Sequence, residues 1–254
     1  MKLHTQITGE GKKLVILHGF LGMGDNWKSL SKQYAKAGFE VHLPDMRNHG
    51  KSPHHDVFNY DEMAKDIHEY FETYQIEDAV LIGHSMGGKI AMQFAATHPA
   101  LLSHLIIVDI SPKLYHPHHD NILSSLKALK SKKLTSRNDA DDILKEKIPE
   151  QGVRLFLLKN LKRDDNNILS LKPNVDVFLA NRSEIGKALP KDFVYEGKTI
   201  FIKGEKSSYI RDKNKKLINE HFPNHKIISI PNAGHWVHAE NPKHFFKETM
   251  NFIK

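Results

Sequence analysis

The sequence predicts an α/β fold: a mostly parallel central sheet with helices on both faces, and a helical cap inserted into it. Three observations predict it. Apolar runs of strand length recur along the chain, amphipathic stretches with helical spacing lie between them, and one long lysine-rich stretch interrupts the alternation. A strand covered on both faces reads as a nearly continuous apolar run, whereas one half open to water alternates. The runs here are mostly of the first kind.

The first four runs are LVILHG at 14–19, FEVHLPD at 39–45, AVLIGHS at 79–85 and LIIVDIS at 105–111. The segments 26–38, 60–75 and 86–98 carry apolar residues at helical spacing and read as helices. From about 112 to 190 the strand rhythm stops. Amphipathic pieces such as ILSSLKALKSKKL, ADDILKEKI and VRLFLLKNL take its place and read as a helical insertion. The rhythm resumes with KTIFIKG at 198–204, a helix around 211–221, and KIISIPNAGH at 226–235. A last helix is opened by Asn241 as N-cap and Pro242 in its first turn. The chain therefore divides into a core of residues 1–111 and 191–254 and a cap of residues 112–190. Open α/β sheets bind ligands at the carboxyl edge of the strands, so the cap is expected there.

A chain of 254 residues can bury a sizeable core in one compact unit. It has no cysteine, which excludes disulfides, thiolate metal sites and a cysteine nucleophile, and favours a reducing compartment. The start, MKLHTQITGEGKKL, has no apolar signal region, and no apolar stretch reaches the roughly 20 residues that cross a bilayer. A soluble, cytoplasmic protein without a membrane span is the expectation. The net charge of +7 comes from lysines scattered among acids, so it reads as a solvated surface and not as a nucleic-acid site. Of the 18 histidines, His116, His118 and His119 are the densest cluster. Proline breaks that cluster and no helix-borne HExxH accompanies it, so no metal is expected. No feature specifies an oligomeric state.

Three motifs carry chemistry. Gly83-His84-Ser85-Met86-Gly87, followed by Gly88, lies where a strand ends and a helix begins. A serine at such a turn adopts a strained backbone, and residues two before and two after it approach so closely that side chains there would collide. Its hydroxyl then stands above the sheet as a nucleophile, and the amide of Met86 can donate to an anion forming beside it. His18-Gly19-Phe20-Leu21-Gly22 follows the first run. Acyl transfer needs two donors on the oxyanion, and the Phe20 amide is expected to pair with that of Met86. Asn232-Ala233-Gly234-His235-Trp236 follows the last run and places an imidazole as the base, with the order serine early, histidine last. His238 reads as structural.

With these motifs aligned, the chain resembles the α/β-hydrolases nearly end to end, and more narrowly the small bacterial acyl-ester hydrolases of the YbfF type. The narrower likeness rests on LHGFLGMGDNW, PDMRNHGKSP, IGHSMGGK, VDISP and AGHWVHAENP. In PDMRNHGKSP, Asp45 and Arg47 are expected to brace the strand end, and Asn48 to tolerate a left-handed turn where many relatives have glycine. The acid of such enzymes usually follows the penultimate strand. Here that segment is Glu205-Lys206-Ser207-Ser208-Tyr209, with a serine where an aspartate is expected. Asp109, at the end of the strand after the nucleophile's own strand and helix, is therefore assigned as the acid, and the resemblance points the same way. Glu205 and Asp212 remain alternatives.

The resemblance implies a serine hydrolase of a small-molecule acyl ester or thioester, working through an acyl-enzyme with Ser85, His235 and Asp109 and without a cofactor. A lyase or carbon–carbon bond hydrolase on the same fold, and a catalytically silent binding protein, are the rival functions.

Overall fold

The computed structural model describes residues 1–116 and 119–254. His118, from the histidine cluster, lies outside the described residues. The core strands are β1 (Thr5–Thr8), β2 (Lys12–Leu17), β3 (Phe39–Pro44), β4 (Ala79–His84) and β5 (Leu102–Val108), then, after a short pair β6 (Leu161–Arg163) and β7 (Leu169–Leu171), β8 (Thr199–Gly204) and β9 (His225–Ile230). The main sheet has seven strands in the order β1-β3-β2-β4-β5-β8-β9. Every pairing in it is parallel except that of β1 with β3. The sheet is mostly parallel, as the sequence predicts.

Continuous burial explains why the strands read as unbroken apolar runs. Successive side chains point to opposite faces. Leu14, Ile16, Val80, Ile82, Ile106 and Val108 share one core with Leu30 and Tyr34 of α1 (Lys28–Lys36). Val15, Leu17, Leu81 and Ile107 share the opposite core with Met63 and Ile67 of α2 (Tyr60–Thr73) and Ile90 and Phe94 of α3 (Met86–Thr97). Asn59 caps α2 by accepting from the Glu62 amide at 2.8 Å.

Residues 112–190 contain α4 (Asp120–Lys130), α5 (Arg137–Lys145), α6 (Gln151–Leu158), α7 (Val175–Ala180) and α8 (Arg182–Ile185), together with the antiparallel pair β6–β7. Their Leu123, Leu126, Leu144, Leu157 and Phe178 continue the α2–α3 core without a break. The chain closes with α9 (Lys215–His221), α10 (Val237–Glu240) and α11 (Pro242–Ile253), whose N-cap is Asn241 as expected.

Three short strands escape the sequence reading. Strand β1 is a four-residue antiparallel edge, too short and too polar to register as a run, and β6 and β7 have three residues each. The 105–111 run also ends early as a strand, because Asp109 turns left-handed at φ 50°. Among the described residues no helix is long and apolar enough to cross a membrane, and no group of three or more His, Asp or Glu is placed to hold a metal ion.

Candidate active site

Ser85 sits between β4 and α3 with φ 52° and ψ −114°, a conformation an L-residue adopts only when its surroundings impose it. The neighbouring glycines are a steric necessity. A Cβ on Gly83 would lie 2.3 Å from the carbonyl oxygen of Gly87, and one on Gly87 would lie 2.3 Å from that of Leu17 on β2. The turn is pinned to the sheet edge by the Ser85 amide donating to Val108 O at 3.0 Å. The Lys89 amide, on the first turn of α3, donates back to Ser85 O at 3.1 Å.

His235 follows β9 on the loop ahead of α10. Its Nδ1 lies 2.7 Å from Asp109 Oδ2. A carboxylate can only accept, so Nδ1 carries the proton and Nε2 keeps its lone pair. Asp109 is fully buried and also accepts from the Gly204 amide at 3.2 Å and from the Ser207 hydroxyl. Three donors converge on one carboxylate. Ser207, the serine at the position where an aspartate is expected, thus bonds a carboxylate that comes from the neighbouring strand. The alternatives are engaged elsewhere. Glu205 Oε2 accepts from the Asn232 amide at 2.9 Å, and Asp212 is exposed and paired with Lys215 at 2.8 Å.

The loop after β2 is equally constrained. His18 is buried, and its Nε2 accepts from the Met46 amide at 2.9 Å. Its Nδ1 is therefore the protonated nitrogen and donates to Gly19 O at 2.9 Å, the same oxygen that receives the Gly22 amide at 2.9 Å. Because a trans peptide points its N–H opposite its C=O, these two donors set the direction of the Phe20 N–H. Burial keeps His18 below the usual imidazole range, which favours the neutral ring that this pattern requires. Met86 opens α3, where backbone amides lack intrahelical partners.

Ser85, His235 and Phe20 line one cavity of about 240 Å³, together with Ile122 of α4 and Val153, Phe156 and Leu157 of α6. Its lining is mostly apolar. Tyr209 lies flat over the His235 ring at 4.0 Å between centroids, and burial beside Asp109 pushes its hydroxyl up to about 12. On the other side, His84 Nε2 donates to His235 O at 2.9 Å. Burial first, then the charges of His235 and His238, hold His84 well below the usual imidazole range. His238 stacks on Trp27 at 3.9 Å and 10°, and burial pushes it down to about 3. It has the packed role expected of it, although it too faces the cavity.

The PDMRNHGKSP segment braces the strand end. Asp45 accepts from the Gly24 amide at 2.7 Å and the Lys51 amide at 2.8 Å, Arg47 holds Asp66 through two bonds of 2.6 and 2.9 Å, and Asn48 takes φ 65°. Sequence reasoning did not single out Tyr209, His84 or Trp27. His84 occupies a position the motif leaves unspecified. Tyr209 and Trp27 are distant in sequence from the groups they cover, and no local pattern marks them.

A family model described as alpha/beta hydrolase fold matches residues 12–147. The chain is 38% identical over 255 residues to the sn-1-specific diacylglycerol lipase ABHD11 of Danio rerio, a match spanning 97% of this chain and 80% of that protein. It is 33% identical over 241 residues to the esterase YbfF of Escherichia coli (strain K12), spanning 94% of this chain and 92% of that one. Among solved structures, a marine microorganism esterase superposes with a TM-score of 0.95 at 40% identity, over 99% of both chains.

Proposed function

The chain belongs to the α/β-hydrolase fold family, and we propose that within it the protein is a serine hydrolase of carboxylic esters, acyl thioesters included. Relatives named esterase and lipase support ester hydrolysis as the general activity. The observation that carries the finer reading is the 2.7 Å bond from His235 Nδ1 to Asp109 in a cavity that Ser85 also lines.

In this reading Ser85 Oγ attacks the acyl carbon as its proton passes to His235 Nε2, and the carbonyl π pair moves onto oxygen. The Phe20 and Met86 amides receive that oxyanion. It collapses by expelling the alkoxide or thiolate, which takes the proton from Nε2 and leaves acyl-Ser85. Water then adds to the acyl carbon and gives its proton to Nε2. The bond to Oγ breaks, Oγ recovers the proton, and a carboxylic acid is released. The scheme needs no cofactor. Residues 112–190 serve as a cap whose apolar face receives the acyl chain, with 1–111 and 191–254 as the catalytic core.

The test is Ser85→Ala on a p-nitrophenyl butyrate assay, alongside fluorophosphonate labelling of the parent. The half-buried hydroxyl is lost without steric change, so folding should survive while turnover falls by about 10⁶. Activity within about tenfold of the parent would remove Ser85 from the mechanism. A parent that is not labelled would favour a silent binding protein or a lyase.

A further inference from the structure

We infer that Asn160, in the insertion, is a positioning residue for the oxyanion loop: it holds the turn that aims the Phe20 amide. The inference rests on the proposed role of that amide. Asn160 follows α6, is fully buried, and donates from Nδ2 to Leu21 O at 2.9 Å, across 139 positions of sequence.

The Asn160 backbone is itself fixed from both sides. Its amide donates to Leu157 O at 2.9 Å, and its carbonyl accepts from the Lys172 amide at 2.8 Å, which links α6 to the segment after β7. The side chain therefore projects from a rigid point. Its Oδ1 has no partner among the described residues, so its one hydrogen bond is the bond to Leu21.

The receiving end needs holding. Leu21 has φ 58°, a left-handed conformation that a leucine keeps only when its surroundings over-determine it. The turn is closed on the core side by the Gly22 amide and His18 Nδ1, both on Gly19 O. On the other side the insertion supplies the Asn160 bond and the Phe178 ring, set edge-on against Phe20 at 4.9 Å. If Leu21 relaxed toward an ordinary φ, the Gly22 amide would swing away from Gly19 O, and the Gly19–Phe20 peptide would lose one of the two donors that set the direction of its N–H. The insertion thus does more than roof the cavity. It completes the electrostatics of the core beneath it.

Asn160→Ala tests this with p-nitrophenyl acetate, whose acyl group is too short to depend on the cap's apolar lining. Losing one orienting bond should lower kcat about tenfold with KM within about twofold. Inhibition by an alkyl trifluoromethyl ketone, which forms a tetrahedral oxyanion on Ser85, should weaken by the same factor, while inhibition by butyrate stays unchanged. Titration with a fluorophosphonate corrects each rate for the folded fraction. If the alanine variant does not fold, Asn160→Ser carries the same measurement, since its shorter hydroxyl does not span to Leu21. A kcat within about twofold of the parent overturns the inference, as does a loss confined to KM and to long acyl chains, which would mean packing alone. If Ser85→Ala were active, the underlying reading would fail first, so the two failures are distinguishable.

Discussion

Asp109 and Glu205 both lie near the loop that carries His235, yet their carboxylates have different work. Asp109 bonds the imidazole, while Glu205 bonds the Asn232 amide and steadies the loop. Asparagine at 109 would present an amide to Nδ1 and draw the proton to Nε2, leaving no lone pair for the serine proton. Asp109→Asn should therefore lower turnover by about 10⁴, whereas Glu205→Gln, which keeps an acceptor for the Asn232 amide, should change it by less than about tenfold. Both rates are to be compared at matched folding, checked by thermal unfolding. A crippling Glu205 change beside a mild Asp109 change would move the acid to the segment after β8. That Asp109 is close to the histidine was only partly legible in the sequence. Its place at a strand end could be read there, but the convergence of Gly204, Ser207 and His235 on one carboxylate comes from three segments that folding brings together.

Helix α6 is short but contributes three side chains to the cavity lining. Val153, Phe156 and Leu157 share one face at spacings of three and four and line the cavity. Arg154, on another face, anchors the helix through Asp141 at 2.8 Å and the carbonyls of Ile148 and Pro149. Val153 is only half-buried, so a larger side chain there can grow into the cavity without opening the core. Val153→Trp should reduce kcat/KM for a p-nitrophenyl decanoate ester by about tenfold or more and leave the acetate ester within about threefold, shifting the preference to short chains. An unchanged chain-length profile would mean that the acyl group lies elsewhere. Amphipathic spacing made this helix readable. Which of its faces meets Ser85 was not, because a hydrophobic stripe states that a face is buried without stating against what.

At the scale of the whole molecule, the site is surrounded by imidazoles that folding keeps neutral. His238 is pushed down to about 3 by burial, and His18, His49 and His84 are shifted in the same direction, each by burial first. An unfolded histidine titrates near 6.5, so between pH 6.5 and 3 the unfolded chain binds a proton at position 238 that the folded chain does not. That contribution is fully present above pH 6.5 and is lost as the pH falls toward 3, the loss reaching roughly 2 kcal/mol by pH 5 for His238 alone. The melting temperature should drop between pH 7 and pH 5. His238→Phe, which keeps the stack on Trp27, should flatten the curve, and a parent whose melting temperature is constant over that interval would refute the account. The sequence by itself determined the α/β class, the order of the core elements and the strand ends at which Ser85 and His235 stand. Those depend on local rules: apolar runs for doubly covered strands, helical spacing between them, and glycines where a carbonyl leaves no room for a Cβ. Only the tertiary structure decided that Asp109 and not Glu205 meets His235, that Tyr209 covers the imidazole, and that the insertion reaches Leu21 through Asn160. Each of these joins residues roughly 25 to 140 positions apart, and a contact at that separation is set by how the elements pack, which no local pattern encodes.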